Sequence, residues 1–126
     1  MNSEKIINWI NGLKNSGKLV IVEGEKDKLA LSKLGIKNVV AISRKPLFSF
    51  VEEISKKHME IVILTDLDSE GRRLYSTLRR DFQKNGIRVD RKFREILFKE
   101  TKISQIEGIF RYFTRNFSVL AGKSFP

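Results

Sequence analysis

The stretch "ILTDLDSEGRRL" (residues 63–74) contains the strongest structural and chemical signals in the chain. The apolar run "IVIL" (61–64) ends in three acidic residues at alternate positions, Asp66, Asp68 and Glu70, and a pair of arginines comes next. A short run rich in β-branched residues is typical of a strand buried on both faces of a sheet. The stretch therefore predicts a buried strand that ends in an acidic turn and passes directly into a helix.

The same alternation of strand and helix is found on both sides of this stretch. Apolar runs predict further strands at 19–22 and 38–43, and the more polar segment 87–93 predicts a fourth. Apolar residues at helical spacing predict helices at 2–15, 24–35, 47–58, 69–85 and about 105–116. This pattern predicts a single α/β domain over residues 1–126, with a Rossmann-like, about four-stranded, largely parallel sheet flanked by helices. The tail "SVLAGKSFP" (118–126) gives no clear signal.

The composition of the chain is strongly basic and lacks cysteine. Its 126 residues are enough to bury a core, and 25 lysines and arginines against 15 acidic residues give a net charge of +10. This balance favours polyanionic partners such as nucleic acid. The absence of cysteine excludes disulfide scaffolds and cysteine-ligated zinc modules. No apolar run approaches the roughly 20 residues of a membrane span and no signal peptide is recognisable, so we expect a cytoplasmic protein without a membrane partner.

Acidic residues follow two strands that we expect to be neighbours. Glu23 comes directly after the first strand, and Asp66 and Asp68 come directly after the third. Ligands of open α/β sheets bind beyond the carboxyl ends of the strands, and in the common order 2-1-3-4 strands one and three are adjacent. Carboxylates held together repel one another unless a cation compensates them. An all-oxygen set, with one histidine and no cysteine in the chain, favours Mg²⁺ or Mn²⁺ over zinc.

Helix capping is the alternative explanation for part of this acidic pattern. Asp68 and Glu70 are ordinary residues for a helix N-cap and first turn, and Glu25 and Asp27 suit the same role at the preceding helix. Capping does not explain acidic residues at the ends of two separate strands. The metal site is therefore the stronger hypothesis.

The two acidic segments resemble the two signatures of the Toprim family, the catalytic module shared by topoisomerases, bacterial primases and related nucleases. The segment "IVEGEKDKLAL" (21–31) is similar to the glutamate signature EGxxD after the first strand, and "LTDLDSEGRRL" (64–74) is similar to DxDxEG after the third. The resemblance covers roughly residues 18–93 and implies the Toprim fold with strand order 2-1-3-4.

The resemblance also implies roles for individual residues. Asp66 and Asp68 correspond to magnesium ligands, and Glu23 corresponds to a further ligand or to the acid/base residue. Glu70 matches a third acidic position, which assists metal binding in the topoisomerase form, and Asp27 matches the last position of EGxxD. Topoisomerase activity is not implied, because it requires a tyrosine nucleophile on another domain.

Basic residues beside the acidic segments predict a nucleic-acid-binding face. On the helix from residue 69, Arg72 and Arg79 stand seven residues apart and so nearly on one line, as do Arg73 and Arg80. Lys26, near Glu23, is a further candidate for phosphate contact. A second basic group on the fourth strand and after it comprises Arg88, Arg91, Lys92 and Arg94.

The combined signals predict Mg²⁺-dependent phosphodiester chemistry on nucleic acid, most consistent with a nuclease that acts on structured RNA. The preference for RNA over DNA rests on resemblance to small stand-alone Toprim proteins and to the catalytic half of the ribonuclease that matures 5S ribosomal RNA. The alternative is a non-catalytic RNA- or DNA-binding module within a ribonucleoprotein or a repair or primase complex. In either case a protein partner could supply substrate specificity.

Overall fold

The computed structural model describes residues 1–116, and the unpatterned tail 118–126 lies outside the described residues. The strands are β1 (Leu19–Val22), β2 (Val39–Ala41), β3 (Glu60–Ile63) and β4 (Arg88–Asp90). The helices are α1 (Ser3–Asn15), α2 (Glu25–Lys33), α3 (Leu47–Ser55), α4 (Ser69–Lys84), α5 (Lys92–Glu100) and α6 (Ile109–Asn116). A 3-10 turn at Ile106–Gly108 leads into α6.

The four strands form one parallel sheet in the order β2-β1-β3-β4. In the register between β1 and β3, Ile21 lies opposite Ile63, so the two strands end at the same level. The predicted fold class and strand order are confirmed. The central pair of strands therefore delivers the segments after β1 and β3 to one edge of the sheet, where ligands bind in this class of fold.

Helices cover both faces of the sheet. The side chains of β1 point alternately to the two faces, and because all of them are apolar, each face needs a covering layer. Val20 and Val22 face the core under α1, α2, α5 and α6, whereas Leu19 and Ile21 face the core under α3 and α4. Strands buried on both faces read as continuous apolar runs, and β1 has all four residues buried. Within residues 1–116, none of the helices is long and apolar enough to cross a membrane.

Helix α5 corrects the sequence prediction for residues 87–93. Strand β4 ends at Asp90, and the chain turns into α5 at Lys92. The Asp90 carboxylate accepts the backbone N–H of Lys92 at 3.0 Å, a local hydrogen bond that favours a turn over a continued strand. Leu97 then packs fully buried against the sheet. The predicted strand was too long because this side-chain bond outweighs the strand-like alternation of the apolar residues.

Candidate functional site

Glu23 and Asp66 meet at the carboxyl edge of the sheet. The backbone N–H of Asp66 donates a hydrogen bond to Glu23 Oε2 at 2.7 Å. Both side chains are partly buried. The contact follows from the fold, because Glu23 is the first residue after β1, and Asp66 lies shortly after the neighbouring strand β3.

The Asp66 side chain holds the 3-10 turn against the site. Its Oδ1 accepts the backbone N–H of Ile106 at 2.8 Å, and the backbone N–H of Leu67 donates to the carbonyl of Ser104 at 2.8 Å. The segment around residue 105 therefore forms one wall of the site. Sequence reasoning missed this wall because two backbone contacts some forty residues apart leave no local pattern.

Asp68 is the N-cap of α4, and its Oδ1 accepts the backbone N–H of Gly71 at 2.8 Å. The capping alternative is therefore correct for this residue, although a cap occupies only one of two carboxylate oxygens. Glu70 is exposed on the first turn of α4 and forms an ion pair with Arg73 at 2.6 Å. Glu70 thus lies at the rim of the site rather than beside Asp66.

The segment after Glu23 is organised by Asp27 and leaves Lys26 exposed. Asp27 is 7% exposed, and its Oδ2 accepts the backbone N–H of Gly24 at 3.0 Å. This bond closes the turn between β1 and α2. Asp27 therefore organises the loop at the start of α2, in agreement with the capping role that the sequence offered for it, and Lys26 projects at the entrance of the site.

Burial and nearby negative charges raise the pKa values of Glu23, Asp27 and Asp66. Burial is the largest cause of the raised pKa of Glu23, and the negative charges of Asp66, Asp27 and Asp68 raise it further. Burial also raises the pKa of Asp66, with added repulsion from Asp68 and Glu107. The pKa of Asp27 is raised by burial first and then by Asp66 and Glu107. A cation placed among these groups would relieve the repulsion.

The donor set suits a hard divalent ion. A cleft of about 550 Å³ is lined by Glu23, Asp27, Asp66, Glu70 and Glu107, among other residues. Within residues 1–116, no three Asp, Glu or His side chains are already positioned to hold a metal ion together. Carboxylate oxygens are nevertheless the ligands that Mg²⁺ prefers, and Mg²⁺ usually takes one or two carboxylates while keeping several waters. The residues present therefore fit such an ion.

Arg94 donates hydrogen bonds to the backbone of residues 65–68, which follow β3 and are called the acidic loop. Its Nη2 donates to the carbonyl of Asp66 at 2.9 Å, and its Nε donates to the carbonyl of Thr65 at 3.3 Å. The guanidinium carbon lies 4.4 Å from the ring centre of Tyr75 and 5.0 Å from that of Phe98. The sequence placed Arg94 in a basic group after the fourth strand, and the structure gives it a structural role at the end of β3.

Replacement of Arg94 by alanine should destabilise the protein by about 2 kcal/mol, because two carbonyl groups lose their charged donor and the stacked guanidinium is removed. Urea unfolding measures this change. Arg91→Ala is the matched control on the same segment, because Arg91 is exposed. It should change the free energy of unfolding by less than about 0.5 kcal/mol, and equal losses in both variants would contradict this role for Arg94.

The four arginines predicted on α4 divide into two pairs. Arg73 forms an ion pair with Glu70 at 2.6 Å, and Arg80 forms one with Asp81 at 3.3 Å. Among residues 1–116, no carboxylate lies within ion-pair distance of Arg72 or Arg79. The second line of arginines is thus partly neutralised, and the first line keeps its charge available.

Fold and site together define a parallel α/β domain with a carboxylate cluster where β1 and β3 end. The family described as "Toprim domain" matches residues 17–92, which include both acidic segments. The chain therefore belongs to the Toprim domain family. Toprim domains generally bind divalent metal ions and occur in proteins of nucleic-acid metabolism.

Similar proteins extend the match over most of the chain. A UPF0292 protein of Methanocaldococcus jannaschii is 35% identical over 115 residues, which cover 86% of this chain and 90% of that protein. A UPF0292 protein of Methanosarcina barkeri is 31% identical over 115 residues, covering 89% of this chain and 80% of that protein. These relatives are of similar length to this chain.

Two solved structures share the fold. A putative protein from Aquifex aeolicus superposes with a TM-score of 0.74 at 36% identity and covers 79% of this chain and 94% of its own. The zinc-binding and RNA polymerase domains of the Aquifex aeolicus primase superpose with a TM-score of 0.51 at 25% identity. That match covers 84% of this chain but only 27% of the primase chain, so this chain corresponds to one part of the primase.

Proposed function

We propose that this protein is a Mg²⁺-dependent phosphodiester hydrolase that acts on nucleic acid, with structured RNA as the preferred substrate. The observation that carries the proposal is the contact between Glu23 and Asp66, whose side chains share a cleft at the sheet edge, where burial and the charge of Asp66 raise the pKa of Glu23. The basic charge of the chain, +10, supports a polyanionic substrate.

Asp66 and Asp68 are the proposed ligands of the ion, with Glu23 as a further ligand or as the acid/base residue. Each of the three uses one oxygen in a hydrogen bond to a backbone N–H. That bond holds the carboxylate in place and uses one of its two oxygens, so the second oxygen is available as a metal ligand. Mg²⁺ held there would polarise a phosphate oxygen and lower the pKa of a bound water.

Glu23 is suited to proton transfer because its pKa is raised by burial and by neighbouring carboxylates. Its hydrogen bond from the Asp66 N–H holds the side chain at the cleft. If Glu23 is not itself a metal ligand, we propose that it accepts a proton from the attacking water. Glu70, which is exposed at the rim, would assist binding of the ion from outside the buried set.

The wild type should cleave end-labelled nucleic acid only in the presence of Mg²⁺ or Mn²⁺, with structured RNA cut faster than single-stranded or duplex DNA. Glu23→Gln keeps a hydrogen-bond acceptor for the Asp66 N–H and removes only the charge. It should lower the cleavage rate about a hundredfold. The measurement is a metal titration of cleavage and binding on the same labelled substrates.

Glu53→Gln is the matched control for this experiment, because Glu53 is an exposed glutamate on α3 and lies outside the cleft that Glu23 lines. Its rate should stay within about twofold of the wild type. Equal rates for Glu23→Gln and the wild type would contradict the role of Glu23. Metal-independent cleavage would contradict the whole proposal.

The alternative function is a binding module that holds RNA or DNA without cutting it, with a partner protein that supplies specificity or catalysis. It is favoured by one observation: Glu23, Asp66 and Asp68 all make structural hydrogen bonds. Salt-sensitive binding by the wild type and by Glu23→Gln, with no cleavage under any metal condition, would favour this alternative.

A further inference from the structure

Arginines gather in a cleft between α4 and the exposed edge of β4. The cleft has a volume of about 490 Å³ and is lined by Arg79, Arg88 and Arg91, with Glu60 as its one carboxylate among residues 1–116. Strand β4 is the edge strand of the sheet on this side. The fold has thus brought together arginines from α4, from β4 and from the turn before α5.

The carboxylates of residues 1–116 neutralise these arginines only in part. Within residues 1–116, Arg79 and Arg91 have no carboxylate at ion-pair distance, and Arg88 reaches Glu60 only at 3.8 Å. The Nε of Arg79 is buried and has no hydrogen-bond acceptor in the described part of the chain. A buried N–H without a partner is unfavourable, and phosphate oxygens are the acceptors for which the arginine fork is best suited.

Further arginines lie between this cleft and the acidic site. The guanidinium of Arg94 lies 4.4 Å from the ring centre of Tyr75. Burial raises the pKa of Tyr75, and the positive charges of Arg79, Arg94 and Arg91 are near enough to oppose that rise. Arg72 stands seven residues before Arg79, about 10 Å nearer the acidic end of α4 at 1.5 Å per residue. Its charge also acts on Arg94, which binds the carbonyl of Asp66.

We propose that the cleft of Arg79, Arg88 and Arg91 is a phosphate-binding track that leads one nucleic-acid strand past Arg72 to the acidic site. The inference rests on the proposed function, because it assigns the substrate path of the same site. It also separates the arginines of α4 by role: Arg72 and Arg79 contact the strand, whereas Arg73 and Arg80 remain in their ion pairs. Arg91, on the turn before α5, joins the binding set.

A charge-matched pair of variants tests the track. Arg79→Ala/Arg91→Ala removes two arginines from the cleft, and Arg73→Ala/Arg80→Ala removes two from the other line of α4. Binding to a fluorescein-labelled RNA hairpin is measured by anisotropy over a range of salt concentrations, with Ca²⁺ in place of Mg²⁺ to suppress cleavage. Thermal unfolding of each variant checks that it is folded, and Arg91→Ala alone serves if the double cleft variant is not.

The cleft variant should raise the Kd about tenfold or more and lower the slope of log K against log salt by about two. The control variant should change the Kd by less than about twofold. Equal losses in both variants would overturn the track and leave the proposed function standing. No binding by the wild type would overturn both. Competition by polyglutamate as strong as by unlabelled RNA would show a general anion surface and also overturn the track.

Discussion

Gly71→Ala should destabilise the protein by about 3 kcal/mol or more, the largest stability effect that we expect from a single substitution. A Cβ built on Gly71 would lie 2.1 Å from the backbone oxygen of Asp66 and 2.6 Å from its carbonyl carbon. Neither atom can move freely, because the same carbonyl accepts a hydrogen bond from Arg94 and the adjacent Thr65 hydroxyl donates to the Gly71 carbonyl at 2.8 Å.

The direction of this effect distinguishes close packing from helix propensity. Alanine within a helix is ordinarily more stabilising than glycine by about 0.5–1 kcal/mol. Gly71 lies in the first turn of α4, so propensity alone predicts a gain. A loss measured by urea unfolding would therefore report the close approach between α4 and the acidic loop.

Gly108→Ala is the matched control. Gly108 lies in the 3-10 turn, and apart from its chain neighbours no atom of the described residues would lie within 4 Å of its added Cβ. Its free energy of unfolding should change by less than about 1 kcal/mol. A Gly71→Ala variant as stable as Gly108→Ala would contradict the packing described here. If Gly71→Ala folds, its acidic loop should be displaced and cleavage reduced.

Asp66→Asn/Asp68→Asn should abolish metal-dependent cleavage, with a loss of about a thousandfold or more, while the protein stays folded. Asparagine retains a side-chain oxygen that can accept the backbone N–H groups of Ile106 and Gly71, so both structural hydrogen bonds can persist. Asparagine is also as good an N-cap as aspartate. The substitutions therefore remove two negative charges and little else.

Without metal, the double variant should be at least as stable as the wild type. Burial raises the pKa values of Glu23 and Asp66, and the negative charges of Asp66 and Asp68 raise the pKa of Glu23 further, so replacing both aspartates removes that repulsion. Cleavage assays and thermal unfolding of the same preparations would measure both effects. A double variant that still cleaves would contradict the role of these charges in cleavage. An unfolded double variant would contradict the expectation that asparagine keeps the structural hydrogen bonds.

The framework of the fold could be predicted from the sequence because its signals are local. Apolar runs such as "LVIV" (19–22) predict buried strands, and Asp68 and Gly86 mark the two ends of α4. The order of the strands could be predicted from the common order of doubly wound sheets and from the resemblance to Toprim domains, and the structure confirms it. The same reasoning placed the acidic residues at one edge of the sheet.

The rest of the site could not be predicted, because it depends on contacts between distant segments. The 3-10 turn reaches Asp66 from forty residues away, and Arg94 reaches the same loop from α5, a helix that the sequence pattern concealed. Sequence spacing placed four arginines of α4 on two equivalent lines. The ion pairs of Arg73 and Arg80 and the buried Nε of Arg79 distinguish one line from the other.

The most direct test of the central claim is the effect of Mg²⁺ and Mn²⁺ on the melting temperature of the wild type and of Asp66→Asn/Asp68→Asn. If the acidic cluster holds a divalent ion in the folded state, saturating metal should raise the wild-type Tm by several degrees and leave the double variant unchanged. A wild-type Tm that does not respond to either metal, or an equal rise in both proteins, would contradict the claim that these carboxylates form a metal site.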